Sequence, residues 1–425
     1  MRVRLNLPQA SLGLFIFLAI LAAITLGIFQ RFNSSLPCLS AIYPLSSIFV
    51  SILRIIVGPL VFLAVLAGVL QVAQLKGMGG IGLLTVTYYF STTFVAICIG
   101  ITLVTFFHPG EGINLSRLVP MGIPIGNAPE AGKFLVNILK AALVNPIKAI
   151  IDTNVLALVM HAMLFGLAIN QLGKSGHMIR NFVIQLYHAL QKIVMWVLWV
   201  APIGIFVIML RLVAETGTDL IKPLWAFVFV VVGGTFLHGL IILPLLLKVL
   251  TGSSVVDFFI KMKDALLVAL TTSSSVAALP VTMKCVHQRL GVQQKVANFI
   301  LPVGTTINMD GTALYEAIAA IFIAQAYGIQ LDVVAMLAMI ATVLFASFGA
   351  PGIPTAGMAT MVMVLDAANL PIEAVAILIA IDRPLDTIRT ALNIEGDAIG
   401  AMIINRFAQN PTSRIEGVYP MNYPH

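Results

Sequence analysis

The chain has 425 residues, of which 60% are hydrophobic and only 10% charged, and its mean hydropathy is +1.03. A soluble domain carries about a quarter charged residues, so this composition leaves too little polar surface for an aqueous fold and excludes a soluble enzyme. The net charge of +7 does not mark a nucleic-acid binder, because the basic residues lie mostly between apolar runs and form no aromatic-interleaved patch. The length instead fits roughly eight to ten membrane segments.

Six long apolar segments come first, at residues 12–29, 43–72, 82–107, 134–169, 182–213 and 224–250. Several exceed the ~20 residues that cross a bilayer, so tilt and kinks at proline are expected. The first is read as a spanning helix and not a removable signal peptide, since it is long and no small-residue cleavage site follows. Residues 109–133 are rich in Gly and Pro and are expected to form an irregular loop or the start of a broken fourth segment. The glycosylation tripeptides at Asn33 and Asn114 are read as chance occurrences. Cys38, Cys98 and Cys285 are widely spaced and match no metal or redox pattern. Arg2 and Arg4 place the N-terminus in the cytoplasm, and Lys174, Arg180, Lys248, Lys261, Lys263, Arg406 and Arg414 mark further inner loops and the tail. Both termini are therefore expected on the cytoplasmic side of a cell (inner or plasma) membrane.

After Val256 two segments are apolar at both ends but interrupted in the middle. The first carries Thr271-Thr272-Ser273-Ser274-Ser275; the second carries residues 348–357, with Gly349, Pro351, Gly352, Pro354 and Gly357. Backbone without internal partners survives at membrane depth only where protein or a watery cavity covers it. Each interruption therefore predicts a re-entrant helical hairpin, the alternative being a kinked spanning helix. A long helix follows each hairpin, at 296–326 and 372–407, and this doubled layout suggests an inverted repeat around a transport site.

The last helix holds Asp382, Arg383, Asp386, Arg389, Glu395 and Asp397. Ionisable groups inside spanning helices are expensive and default to function. At ~100° per residue, Asp382, Asp386, Arg389, Thr390, Asn393 and Asp397 fall mostly on one stripe, with Arg383 at its edge and Glu395 pointing elsewhere. The plainer alternative is a structural Asp386–Arg389 ion pair. One arginine cannot satisfy three carboxylates, however, so cations or ligand groups are expected to complete the set. Upstream, glycines flank Asn308-Met309-Asp310 at Gly304 and Gly311, which suggests local unwinding that frees carbonyl oxygens for a hard cation such as Na⁺. The Ser273-Ser274-Ser275 run offers N–H and hydroxyl groups to an α-carboxylate. Arg389 offers a fork to a second carboxylate, and Asp386 an acceptor for an α-ammonium.

Four strings then carry a family resemblance: Thr272-Ser273-Ser274-Ser275, Asn308-Met309-Asp310-Gly311-Thr312-Ala313-Leu314-Tyr315-Glu316, Gly352-Ile353-Pro354-Thr355-Ala356-Gly357 and Asp386-Thr387-Ile388-Arg389-Thr390-Ala391-Leu392-Asn393. They resemble the dicarboxylate/amino acid:cation symporter family, the glutamate and aspartate transporter homologues. Tyr88-Tyr89 and Ala201-Pro202-Ile203-Gly204 extend a weaker likeness into the N-terminal half. The resemblance implies an all-α integral membrane protein with eight transmembrane helices, two re-entrant hairpins and inverted repeats. It implies a homotrimer working as an elevator, with residues 1–255 mainly scaffold, helices 3 and 6 joining a transport domain centred on 256–408, and a cytoplasmic tail at 409–425. Substrate would touch Thr272, Ser273, Ser274, Thr312, Ile353, Gly357, Asp386, Arg389, Thr390 and Asn393. One Na⁺ would sit by Gly304, Asn308, Asn393 and Asp397, a second by Thr306, Ser347, Phe348 and Ala350, and a third by Tyr89, Thr92, Thr93, Asn308 and Asp310. No other cofactor is implied. The substrate would be L-glutamate or L-aspartate, because Arg389 is similar to the arginine of acidic-substrate members.

Two departures from the family pattern stand out. Many prokaryotic members carry Arg at the position of Thr272, and animal members carry one at the position of Thr387; this chain has neither, and Arg383, one turn from Asp386, is a candidate replacement. Glu316 resembles the animal transporters, where the matching Glu is linked to proton coupling; the other reading is a structural hydrogen-bonding Glu. A proton- or sodium-coupled C4-dicarboxylate carrier and a cation channel are the competing functions. An intramembrane aspartyl protease is disfavoured because Ile394 stands where a Gly-x-Gly-Asp pattern around Asp397 needs glycine.

Overall fold

The apolar runs fold as helices because backbone polar groups in a bilayer must find partners within their own segment. The structure is a computed structural model that describes residues 9–32, 41–75, 80–112, 143–151, 155–216, 221–347 and 356–409. Among these every regular element is helical. The first half contains α1 (Gln9–Phe32), α2 (Pro44–Leu75), α3 (Gly80–Phe107), α4 (Pro146–Ile151), α5 (Val155–Gln171), α6 (His177–Thr216) and α7 (Ile221–Leu237), which runs through a π turn (His238–Ile242) into α8 (Leu243–Thr251). These match the expected apolar segments with ends shifted by a few residues. The fourth is described only from α4 onward, and the loop expected at 109–133 lies largely outside the described residues, as do both glycosylation tripeptides.

The second half shows the predicted interruptions. The first is α9 (Val255–Thr272) followed by α10 (Ser275–Lys284), two arms packed against each other as a helical hairpin. The Ser254 side chain caps the start of α9, and Ser274 caps α10 by accepting from the Ala277 N–H at 3.2 Å. Ser273 ends α9 at φ 51°, a left-handed conformation that a residue with a Cβ adopts at a cost of about 1 kcal/mol. The next segment is broken as well: α11 (Gln294–Ile307) ends before Asn308, and α12 (Asp310–Tyr327) restarts after Met309. The arms of the second hairpin, α13 (Val333–Ser347) and α14 (Ala356–Ala367), also pack together, while its tip lies outside the described residues. The closing helix is α15 (Val375–Gln409).

Two sets of helices make the most extensive contacts, and a shared buried core joins them. In one, α1 lies along α6, and α2 lies against α5 and α6. In the other, α3 and α7 pack on α12, and α15 packs against α8, α9, α11 and α12. The segment Gln294–Tyr327 is long and apolar enough to cross a membrane, and its most apolar window is wholly buried in protein. Ile81–Phe107 and Lys222–Thr251 also qualify as spans but are only partly covered. Their outer faces expose Phe106 (75%), Trp225 (70%) and Val249 (70%). Apolar surface on this scale is what a bilayer covers and what a water-soluble protein avoids.

Candidate substrate and cation site

The site is built where the breaks in α11–α12 meet the polar stripe of α15. Side chains on a helix lean toward its N-terminus, so Arg389 reaches back along α15. Its Nη2 donates to Asp382 Oδ1 at 2.6 Å, two turns away, and to Asp386 Oδ1 at 3.0 Å, one turn away. The guanidinium lies over the ring of Tyr315 of α12, with Cζ 3.9 Å from the ring centroid, where the ring's negative face attracts the cation. Arg389 is 1% exposed, and its Nε and Nη1 are buried without a hydrogen-bond partner. The sequence pointed to Asp386 as the partner of Arg389, and the structure adds Asp382 at the shorter distance. Arg383 approaches the other oxygen of Asp386, with Nη1 3.8 Å from Oδ2.

The remaining predicted substrate residues gather around this guanidinium to different degrees. A Cβ placed on Gly357, at the start of α14, would lie 3.4 Å from Thr312 Cγ2 and 3.6 Å from Arg389 Nη1, so Gly357, Thr312 and Arg389 face one spot. Thr390 donates to the Asp386 carbonyl at 2.8 Å. Asn393 Oδ1 accepts from the Gly311 N–H at 2.8 Å and ties the start of α12 to α15. A side chain at Gly311 would come within 2.8 Å of the Arg389 carbonyl, so only glycine admits this approach. Thr272 donates to the Val268 carbonyl and accepts from the Ser274 N–H. Ser273 Oγ is buried without a partner at the hairpin tip. The two arms of this hairpin reach α15 by packing. Ile353 lies outside the described residues.

The predicted cation ligands fall into two buried polar clusters. In the first, Asn308 Nδ2 donates to Asp397 Oδ1 at 2.9 Å and to the Asn393 carbonyl at 3.0 Å. Gly304 presses on this pair: a Cβ there would lie 2.1 Å from Asp397 Oδ1 and 2.6 Å from the Tyr89 hydroxyl. Tyr89 thus brings its hydroxyl to Gly304 and Asp397, while its carbonyl accepts from Thr92 at 3.2 Å. In the second cluster, Asp310 Oδ1 accepts from Thr93 at 2.6 Å and from Thr92 at 3.3 Å. Asn308 Oδ1 is buried with no donor, an orphaned acceptor of the kind a hard cation satisfies. Ser347 donates to the Leu344 carbonyl and Thr306 to that of Val303. Phe348 and Ala350 lie outside the described residues.

The structure also adds His238. It sits fully buried in the π turn between α7 and α8, and its Nε2 lies 3.1 Å from Asp310 Oδ2. The extra residue in a π turn rotates the helix and commonly marks a functional position. An ionisable residue inside an apolar span signals function, and that rule, applied to residues 224–250 as it was to the last helix, singles out His238. Glu395 is buried too, against Gly239 of the same π turn, and its Oε1 has no hydrogen-bond partner. Glu316 accepts from the Thr360 hydroxyl through Oε1, and its Oε2 is buried without a partner.

Apolar outer faces, broken helices and carboxylates gathered around one buried guanidinium are the construction of a membrane carrier. Residues 12–407 match the Sodium:dicarboxylate symporter family, and the chain belongs to it. It is 34% identical to excitatory amino acid transporter 3 of Mus musculus, a match that covers 94% of this chain and 86% of that one. It is 35% identical to an excitatory amino acid transporter of Caenorhabditis elegans, over 84% and 79% of the two chains. Excitatory amino acid transporter 2 of Rattus norvegicus matches at 32%, over 88% and 74%. The chain is thus a multi-pass membrane transporter.

Proposed function

We propose that this protein is a secondary active symporter that moves L-glutamate or L-aspartate across a cell membrane with Na⁺. One observation carries the reading: the buried Arg389 is held by two aspartates through a single nitrogen, which leaves Nε and Nη1 without partners. Nη1, which faces the spot shared with Gly357 and Thr312, has N–H groups available to donate to a side-chain carboxylate. The names of the relatives, excitatory amino acid transporters, support an amino acid as cargo. Asp386 would accept from the α-ammonium, and Thr312, Thr390, Asn393 and Gly357 would line the remaining walls. Thr272, Ser273 and Ser274 would close on the α-carboxylate from the first hairpin, and Ile353 from the second.

Na⁺ would be held by Asn308, Asn393 and Asp397 with the Gly304 carbonyl, by Thr306 with carbonyls near Ser347, and by Asp310 with Thr92 and Thr93. The orphaned Oδ1 of Asn308 supports this reading. Glu316, with one oxygen lacking a partner, is the candidate for coupling to H⁺. The mutual packing of α1, α2, α5 and α6 would serve as a scaffold and that of α3, α7, α12 and α15 as a mobile transport domain working as an elevator in a homotrimer, with both termini in the cytoplasm.

Uptake of labelled L-aspartate, L-glutamate and succinate into proteoliposomes, with Na⁺ and pH gradients imposed separately, tests the reading. Na⁺-driven aspartate or glutamate uptake that Arg389→Cys abolishes is the expected result. Succinate uptake alone would make the protein a C4-dicarboxylate carrier, and unitary currents independent of substrate would make it a channel.

A further inference from the structure

Asp386 stands between two guanidiniums. Its Oδ1 accepts from Arg389 at 3.0 Å, and Oδ2 lies 3.8 Å from Arg383 Nη1. The two contacts differ in kind. Arg389 is fully enclosed and bonded, whereas Arg383 is 34% exposed and too far for a hydrogen bond, so it acts on Asp386 by charge alone. Charge counting shows what this second cation does. Asp382, Asp386 and Arg389 together carry one net negative charge, which opposes a cargo that is itself an anion. Arg383 brings the set to neutrality without occupying the unbonded Nη1 of Arg389.

We infer that Arg383 is a positioning residue for acidic cargo: it neutralises the Asp382–Asp386–Arg389 cluster and holds Asp386 Oδ2 until an α-ammonium replaces it. This rests on the reading of the site as one for acidic amino acids. The loose, half-exposed contact suits the role, because a partner that must be released on each cycle cannot be locked by buried hydrogen bonds. Its worth is that of a rim charge, about 1 kcal/mol, or about fivefold in apparent affinity.

The full-length protein in proteoliposomes gives the test, with KM and Vmax for L-aspartate measured at fixed Na⁺. R383Q should raise KM about fivefold with Vmax within about twofold, and R383K should stay close to the parent. Raising ionic strength with choline chloride should lift the parent KM toward that of R383Q and leave R383Q nearly flat, because screening weakens a half-exposed charge. The parent salt series needs no variant to fold. An unchanged KM in R383Q, equal losses in R383Q and R383K, or a salt-independent parent KM would each overturn the inference while leaving aspartate transport intact. A parent protein that takes up no aspartate overturns the acidic-cargo reading, and this inference with it.

Discussion

Gly304→Ala probes the junction of α11 and α15 most directly. The added methyl would lie 2.1 Å from Asp397 Oδ1, 2.6 Å from Asp397 Cγ and 2.6 Å from the Tyr89 hydroxyl. Ordinary van der Waals contact needs more than an ångström of extra room, so Asp397 must turn away or α11 must move off α15. Overpacking of this sort costs about 1–3 kcal/mol. Turning Asp397 also breaks its bond from Asn308, now 2.9 Å, and a bond to a charged group contributes about 1.5–3 kcal/mol. Together they give a loss of about 2.5–6 kcal/mol. The purified variant should melt at least about 5 °C below the parent in the same detergent, and its Na⁺ titration of uptake should shift to higher concentration. An unchanged melting temperature with an unchanged Na⁺ titration would refute the packing of Gly304 against Asp397 and the role of that contact.

Two further substitutions test the charge assignments. Arg389→Ala strands Asp382 and Asp386 in protein and should destabilise by about 3–5 kcal/mol; adding Asp382→Asn should recover part of this in a thermal melt, and equal melting points for the single and double variants would count against the 2.6 Å pair. His238→Ala removes the nitrogen 3.1 Å from Asp310 Oδ2 and should lower stability by about 1–3 kcal/mol. His238→Gln, which retains an N–H donor, should lose less, and identical melts for the two would deny the bond.

Much of the candidate site was legible in the residues because its signals are local. A serine run inside an apolar segment, Asn-x-Asp flanked by glycines and charges at helical spacing each conflict with lipid over a few residues, whatever surrounds them. The break at Asn308 and the turn at Ser273–Ser274 fall where those signals stood. His238 escaped because a single polar residue in a long apolar run changes neither mean hydropathy nor periodicity. The Asp382–Arg389 bond escaped because the i, i+4 rule considers one turn, while the long arginine side chain spans two.

Membrane residence follows from composition, and the helical class from continuous apolar runs of ~20 residues or more, about twice what a membrane strand needs. The positions of the breaks follow from short strings. Which polar group meets which was decided only in three dimensions, by how far each helix is rotated about its axis and how closely its glycines let a neighbour approach. Asp310 meets His238 across 72 residues and Thr93 across 217. Those pairings depend on the π turn that rotates His238 and on the contact of Gly304 and Gly311 with α15, neither of which is written in any one stretch of sequence.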